Sequence, residues 1–334
     1  MVSTLPLVSY VTPFYNTEQY LEECIQSVLK QGYENWEYIL LNNCSTDRSA
    51  EIAEHYANKY PKNIRLEHNS VFLSQVQNYN RVFQFLSPES KYCKFVQADD
   101  WLFPGCVHSM VALAESQPRT GIVAAYRLEG EKVGLDGLPP ETRELSGRDA
   151  CRLYLLNGIY LFGSPTSLLL RSDAVRERNP FYDERYKPFE DTSVCFEILK
   201  TWNFGFVHQV LTFSRRDNES ILSHLRLFSF HFFVRLSAIV IYGRSFLDEK
   251  EYKRGLRIAE REYFNFLARR KCSIRGYSPG FWEFHRDRLA TIGYSLNSKH
   301  LWRRIPRVLI DKGWDAFWGR WDKFTNASYI EPAK

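Results

Sequence analysis

Residues 7–47 read LVSYVTPFYNTEQYLEECIQSVLKQGYENWEYILLNNCSTD, and this stretch decides the fold. Leu7 to Thr12 is a short apolar, β-branched run that reads as a strand, closed by Pro13, which has no N–H to give to a ladder. Leu21, Cys24, Ile25, Val28 and Leu29 then recur at i, i+3, i+4, i+7 and i+8, the apolar stripe of an amphipathic helix. Tyr38 to Leu41 returns to a strand pattern. The turn after it, Asn42 to Asp47, offers Ser45, Thr46 and Asp47 as caps for a second helix.

The alternation continues outward from this unit. The second helix runs to about Tyr60, Ile64 to Glu67 reads as a strand, Ser74 to Phe85 as a helix, and Tyr92 to Val96 as a strand running into Gln97-Ala98-Asp99-Asp100. Val107 to Ala114 reads as a helix and Ile122 to Tyr126 as a strand. Strands separated by helices imply an α/β fold, a mostly parallel central sheet flanked by helices and joined by right-handed crossovers. Ligands of such sheets bind beyond the carboxyl ends of the strands. Asn42/Asn43 and Asp99/Asp100 both fall at such ends and should open onto one crevice.

After Gly130 the pattern changes to a Gly/Pro-containing excursion, a helix near Arg148 to Leu156, a strand Ser167 to Leu170, a helix after Phe189-Glu190-Asp191 and a strand Phe206 to Phe213. From about residue 223 the chain reads as helical, basic and aromatic. Residues 1–224 carry 22 Lys/Arg against 28 Asp/Glu, whereas residues 225–334 carry 22 against 11, and five of the eight Trp lie in the last 53 residues. This divides the chain into a soluble catalytic part and a part suited to an anionic surface. In the segment KHLWRRIPRVLIDKGWDAFWGRWDK (residues 299–323) Trp interleaves with Arg and Lys, which suits the headgroup zone of an anionic membrane and is equally a signature of single-stranded nucleic-acid binding. Packing within a helical subdomain, or between subunits of a homo-oligomer, is the other use of such a surface.

The composition, 334 residues with 44% hydrophobic and 25% charged, excludes a disordered, collagen-like or disulfide-stapled chain. Seven scattered cysteines, none in a CxxC pair, read as reduced thiols without a structural zinc site. The start of the sequence runs directly into a strand pattern without a leader signature, so a cytoplasmic location, peripheral on the inner face of the membrane, is expected. The most apolar stretch, Leu225 to Tyr242, is interrupted by Arg226, His231 and Arg235 and reads as a buried or surface-lying helix.

Two adjacent carboxylates, Asp99-Asp100, repel each other unless a positive charge sits beside them. A hard divalent cation, Mg²⁺ or Mn²⁺, bridging a diphosphate does this, although a turn or helix cap ahead of Pro104 uses the same residues. Taken in order, VTPFYN (11–16), LNNCSTD (41–47), QADDW (97–101), FEDTSVCFEIL (189–199) and SRRDNESI (214–221) resemble the family 2 glycosyltransferases, inverting sugar-nucleotide enzymes of the GT-A fold. The resemblance covers roughly residues 5–222. It implies a GT-A catalytic domain over residues 1–222, with a donor-binding part to about 127 and an acceptor part over 128–222, followed by a helical extension over 223–334.

For individual residues, the resemblance implies that Pro13 and Tyr15 pack against the nucleobase, that Asn43 hydrogen-bonds it, and that Gln77, Asn78 and Arg216 complete the donor site. Asp99 and Asp100 hold ribose and the metal on the diphosphate, and Asp191 is the general base toward the acceptor hydroxyl. The donor is a nucleotide-diphosphate sugar, UDP-linked in first place with GDP and dTDP as alternatives. The acceptor is a saccharide or lipid-linked saccharide of a bacterial surface polysaccharide, and this favours a membrane over nucleic acid as the partner of the basic, Trp-rich segment. The sequence departs from the family pattern at Asn42-Asn43, where an acidic pair is usual, at Gln77-Asn78, where Arg often precedes the Asn, and at Gln97, often acidic. These departures keep open a non-catalytic sugar-nucleotide binding protein. A polyprenyl-phosphate glycosyl synthase is the alternative within chemistry.

Overall fold

The apolar positions dictate which faces are buried. The computed structural model describes residues 5–187, 189–215, 228–272, 280–297, 299–306, 308 and 310. Strand β1 (Val8–Phe14) is buried at every position. It is followed by helix α1 (Leu21–Leu29), whose stripe Leu21, Cys24, Ile25 and Val28 is buried. Strand β2 (Trp36–Asn42) pairs with β1 in parallel, Thr12 opposite Leu40 and Phe14 opposite Asn42. Asp47 starts helix α2 (Ser49–Lys59) by accepting from the Ser49 amide at 3.0 Å. Strand β3 (Ile64–His68) pairs with β2 in parallel, and helix α3 (Gln75–Val82) leads to β4 (Tyr92–Phe95), parallel to β1 on its other side. The strand order therefore reverses at β1, and the crevice opens where β1 and β4 part.

Beyond β4 the chain forms β5 (Trp101–Leu102), helix α4 (Cys106–Ser116), β6 (Thr120–Glu129), β7 (Lys132–Gly134), β8 (Glu144–Leu145), helices α5 (Gly147–Arg152) and α6 (Ser172–Arg176) on either side of β9 (Leu168–Arg171), helix α7 (Glu190–Leu199) and β10 (Asn203–Ser214). The sheet runs β3-β2-β1-β4-β9-β6-β10-β5, with β7 added to β6 and β8 to β10. The alternation near the start gives the parallel core β3-β2-β1-β4, and β6 with β10 runs in the same sense. β9 enters antiparallel between β4 and β6, because the chain reaches it from the carboxyl side of the crevice. The short antiparallel strands β5, β7 and β8 carry too few residues to show a period. The helix read over Arg148 to Leu156 ends at Arg152 and continues as one wide turn, Leu153–Asn157. Gly147 opens it because a side chain there would collide with the carbonyl oxygens of Leu199 and Trp202.

Lys94 is fully buried in β4. Its Nζ donates to the carbonyls of Thr166 at 2.7 Å and Leu168 at 3.1 Å, closing the entrance to β9. Burial pulls this ammonium below the usual lysine range. Thr166 Oγ1 in turn accepts from the Gln97 amide at 3.0 Å, so the start of β9 is fastened beside the Asp99-Asp100 turn.

The chain divides into two compact units, residues 1–220 and 221–334. Within the second, helices α8 (His231–Phe246), α9 (Glu249–Lys271), α10 (Phe281–Thr291) and α11 (Lys299–Trp302) follow one another. The apolar run from Leu225 becomes α8 from His231 onward, burying Phe233, Leu236, Ile239 and Tyr242. Its first residues, Leu225 to Leu227, lie outside the described residues. Helix α9 starts on a capping box between Asp248 and Glu251 and ends on Arg269, Arg270 and Lys271, both ends matched to the helix dipole. His285 is buried among aromatic rings, with Nδ1 2.6 Å from the Tyr263 hydroxyl and Nε2 3.0 Å from the Phe228 carbonyl. Burial lowers its pKa to about 4, so it is neutral at physiological pH. Among the described residues no helix is long and apolar enough to cross a membrane.

Ile25, wholly buried under the sheet, tests the packing of α1. Ile25→Ala should cost about 2–5 kcal/mol through lost transfer energy and the cavity left behind. In urea titration this should appear as a lower midpoint with an unchanged slope.

Candidate functional site

The crevice is built at the carboxyl ends of β1, β2 and β4 together with the end of β10 and the start of α7. Pro13 is buried within β1, and the chain turns at Asn16 with φ +48°. Asn16 Oδ1 accepts from the Thr46 amide at 2.8 Å and the Asn16 amide donates to Ser45 Oγ at 3.1 Å, locking the loops after β1 and β2 together. Tyr15, 43% exposed, packs edge-on against Phe72, 60% exposed, with ring centroids 4.8 Å apart. Two rings this open to solvent offer an aromatic lip on which a planar group can stack.

The side chain of Asn43, expected at the nucleobase, is engaged within the protein. Its Oδ1 accepts from Asn69 Nδ2 at 2.8 Å and from the Leu73 amide at 3.0 Å, while its Nδ2 donates to the Leu73 carbonyl at 2.9 Å. Asn69 Nδ2 also donates to Asn78 Oδ1 at 2.8 Å. Asn43, Asn69 and Asn78 thus form a buried amide network that holds the loop carrying Phe72. Gln77 is likewise committed: its Oε1 accepts from the Ser74 amide at 3.1 Å, and its own amide donates to Ser74 Oγ at 3.3 Å, a reciprocal cap of α3. The residue of α3 that faces the crevice floor is Tyr79. Its hydroxyl accepts from Gln75 Nε2 at 3.1 Å and Gln97 Nε2 at 3.3 Å, and it lies within electrostatic reach of Asp99. Burial keeps the phenol protonated. Nothing in its spacing distinguishes Tyr79 from a core aromatic.

Asp100 is buried, and Asp99 half-buried. Asp100 Oδ1 accepts from the Arg215 amide at 3.0 Å and Oδ2 from Ser214 Oγ at 3.3 Å. Arg215 Nε donates to the Asp99 carbonyl at 3.2 Å, and its Nη2 to Glu23 at 2.7 Å, with the guanidinium over the rings of Tyr20 and Trp101. Burial, and then the charge of Asp99, push the Asp100 carboxyl up to about 7. Arg215 therefore occupies the position beside the acid pair. Arg216, expected in the donor site, lies outside the described residues, as does His224. His208 is structural: its Nδ1 is 2.8 Å from the Tyr126 hydroxyl and its Nε2 2.7 Å from the Thr142 carbonyl.

Asp191 stands in the first turn of α7, where the helix dipole favours an acid. Its Oδ1 accepts from the Thr192 amide at 2.6 Å and from Thr192 Oγ1 at 3.3 Å. Its surroundings nonetheless desolvate it, and its pKa lies above the ordinary carboxylate range, moderated by those bonds and by the charge of Arg127. Tyr160, whose hydroxyl lies 3.0 Å from Thr192 Oγ1, and the half-buried Arg127 on β6, within electrostatic reach of Asp191, are two residues that the motifs did not indicate.

Two adjacent hard carboxylates, one of them half-buried, fit a divalent cation that would take its remaining ligands from a diphosphate and water. Burial first and the charge of Asp99 second raise Asp100, and a bound cation would offset both. Among the described residues no group of three or more His, Cys, Asp or Glu is placed to hold a metal by itself, so the substrate's oxygens would complete the shell.

A mixed α/β sheet with this strand order, followed by a helical C-terminal region, is similar to the GT-A fold. The family model for Glycosyl transferase family 2 matches residues 9–178, and the chain belongs to that family. A glycosyltransferase of Haemophilus influenzae, itself uncharacterized, is 27% identical over 203 residues, 58% of this chain and 61% of that protein. The minor teichoic acid biosynthesis protein GgaB of Bacillus subtilis is 35% identical over 106 residues, 31% of this chain and 11% of that protein. The chain thus spans less than two thirds of the length of these curated relatives. Among solved structures, Staphylococcus aureus TarS 1–349 in complex with UDP-GlcNAc superposes with a TM-score of 0.61 at 16% identity, over 85% of this chain and 81% of that one. A mannosyltransferase from Pyrobaculum calidifontis in complex with GDP-Man and Mn²⁺ does so with 0.54 at 12% identity, over 94% and 88%. At these identities the likeness is one of fold.

The raised Asp100 carboxyl has a measurable consequence. A group whose pKa is raised by folding binds its proton more tightly in the folded chain, so stability falls as pH rises from the unfolded to the folded value. In metal-free protein the melting temperature should therefore decline between about pH 4 and about pH 7. Asp100→Asn should flatten that decline, as differential scanning calorimetry at a series of pH values would show.

Proposed function

We propose that the protein transfers a sugar from a nucleotide-diphosphate donor to a hydroxyl acceptor with inversion at the anomeric carbon, and that it depends on Mn²⁺ or Mg²⁺. The observation that carries this reading is the presence of an acid-pair turn, Asp99-Asp100 after β4 with Asp100 buried, together with a separate desolvated carboxylate, Asp191, in the first turn of α7. Asp99 and Asp100 are the residues that would hold the cation, whose charge neutralises that of the departing diphosphate. Asp191 accepts the proton of the acceptor hydroxyl as its oxygen bonds to the anomeric carbon and the bond to the diphosphate breaks. A single displacement needs one base and no nucleophilic side chain. Desolvation of Asp191 suits it to this role by making it a stronger base than an exposed aspartate.

Tyr15, with Phe72 beside it, stacks on the nucleobase. Asn43, Gln77 and Asn78 support the donor site by holding the loop and helix that frame it, and Tyr79 and Gln97 form its floor. A UDP-sugar is the favoured donor, supported by the complexes of TarS with UDP-GlcNAc and UDP. GDP-linked donors are the alternative suggested by the mannosyltransferase. The acceptor is a saccharide or lipid-linked saccharide in surface polysaccharide synthesis, a reading supported by the teichoic acid relative. The second unit docks on an anionic membrane surface. Support comes from Trp302, 53% exposed with Lys271 Nζ 4.8 Å from its ring centre, and from Arg269 and Arg270 at the same helix end.

Asp191→Asn should lower turnover by roughly 10² or more, the usual scale for loss of a general base, while donor affinity stays unchanged. Asp100→Ala should abolish metal-dependent donor binding. Steady-state kinetics and calorimetric titration separate the two, and equal loss of affinity and turnover in the Asn variant would move Asp191 into the donor site. Co-sedimentation with liposomes should require anionic lipid and weaken as salt rises, since surface charge is screened over a Debye length of about 8 Å at physiological ionic strength. Indifference to anionic lipid at low salt would remove the membrane from this reading.

A further inference from the structure

Helix α9 sorts its charges by face. Nine of its positions are exposed, and eight of these are Lys or Arg, with Glu249 at the start as the exception. Lys250, Arg254, Arg257 and Arg261 recur at i, i+4, i+7 and i+11, which sets them within an arc of about 60° and spreads them over about 16 Å of helix axis. Gly255, Ala259 and Tyr263 are buried on the other side. The acids of the helix are engaged elsewhere: Glu249 pairs with Arg244 at 2.9 Å and with Lys253 at 3.2 Å, Glu262 pairs with Arg235 at 2.6 Å, and Glu260 accepts from the Tyr294 hydroxyl at 2.6 Å. On α10, Arg286 lies 3.0 Å from Asp287 and 3.6 Å from Glu283. Among the described residues no carboxylate is paired with Lys250, Arg254, Arg257 or Arg261.

Like charges three and four residues apart repel, so this row works against the stability of α9, and an acid at any of the four positions would have supported the helix. Nor does the row suit insertion among lipids, because α9 exposes no apolar side chain beside it. A narrow line of cations fits a linear anion, and three of the four carry guanidinium forks that hold phosphate oxygens in pairs. We infer that Lys250, Arg254, Arg257 and Arg261 form a track for a linear, phosphate-bearing saccharide chain, the extended part of the acceptor. This rests on the reading of the acceptor as a saccharide of surface polysaccharide synthesis. Successive cations stand about one helical turn apart, so several phosphates of one extended chain are met at once. Each contact stays wet and individually weak, and the sum is driven by release of the chain's counterions.

The test uses the full chain and end-labelled inorganic polyphosphate, followed by fluorescence anisotropy across a salt series. Binding should fall steeply as salt rises. Arg257→Gln combined with Arg261→Gln should weaken it about tenfold at low salt and lower the slope of log affinity against log salt by about two, one for each phosphate contact removed. Arg244→Gln combined with Arg286→Gln removes the same charge from the same unit, at exposed positions already paired with acids, and should leave affinity and slope nearly unchanged. Equal loss in the two pairs would reduce the effect to net charge and overturn the proposal. Tighter binding of a single-stranded oligonucleotide of equal charge would overturn it in favour of nucleic acid. Loss of co-sedimentation with phosphatidylglycerol vesicles in the Arg257/Arg261 variant, with polyphosphate binding untouched, would give the row to a lipid surface. The melting temperature of that variant should hold or rise as repulsion is relieved, and a fall that accompanies the loss of binding would make the row part of the fold. Polyphosphate binding needs no turnover. A chain that binds it through these residues yet transfers no sugar would keep the track and discard the transferase reading, whereas an active enzyme that ignores polyphosphate at low salt would discard the track alone.

Discussion

The Asp100 carboxyl, buried next to a second carboxylate, is the constraint on which the crevice depends. Water cannot screen the pair there, so the protein compensates with donors brought from far along the chain. The hydroxyl of Ser214 and the amide of Arg215 reach it across more than a hundred residues. The Arg215 side chain returns to the Asp99 carbonyl and to Glu23. The strand β10 that delivers these groups is itself aligned by its pairing with β6 and by the stacking of Trp101 on Phe213, 3.6 Å apart and nearly parallel. The end of β10 thereby becomes a wall of a crevice whose floor comes from the first hundred residues.

The same economy governs the opposite wall, where charge is absent. Asn43, Asn69 and Asn78 are joined to one another and to the loop backbone through their amides. A carboxylate at position 43 would accept the same Asn69 and Leu73 donors but could not donate to the Leu73 carbonyl. The departure from the acidic pattern thus has a structural counterpart: an amide both gives and receives, and the loop bearing Phe72 uses both capacities.

Much of this was legible in the sequence, and unevenly so. The stripe from Leu21 to Leu29 and the strand patterns at Leu7 and Tyr38 mark the parallel core, because period and burial coincide there. The acid pair and Asp191 are visible as charges in apolar company at the ends of elements. The antiparallel entry of β9 was not legible, since four apolar residues in a row look alike in either direction. Tyr79 and Arg127 were hidden for a related reason. A tyrosine on an amphipathic helix and an arginine near a strand end are ordinary until tertiary contacts show what they face. The roles of Asn43 and Gln77 depend on hydrogen-bond partners 26 to 30 residues away for the one and within a single helix turn for the other, which type and position alone do not reveal.

The late arrival of β9 also bears on how the chain folds. Strands β1 to β4 pair through local crossovers and can assemble as soon as residue 95 is available, whereas the neighbour that covers the far edge of β4 lies at residues 168–171. Until that segment inserts, β4 and β6 each present an open edge capable of pairing with another chain. Non-local pairings of this kind close slowly, because a long loop must be ordered before any contact compensates. The interval between synthesis of β4 and insertion of β9 is therefore the period in which this protein is most exposed to misassembly. Lys94, which grips both Thr166 and Leu168, is the catch that ends it.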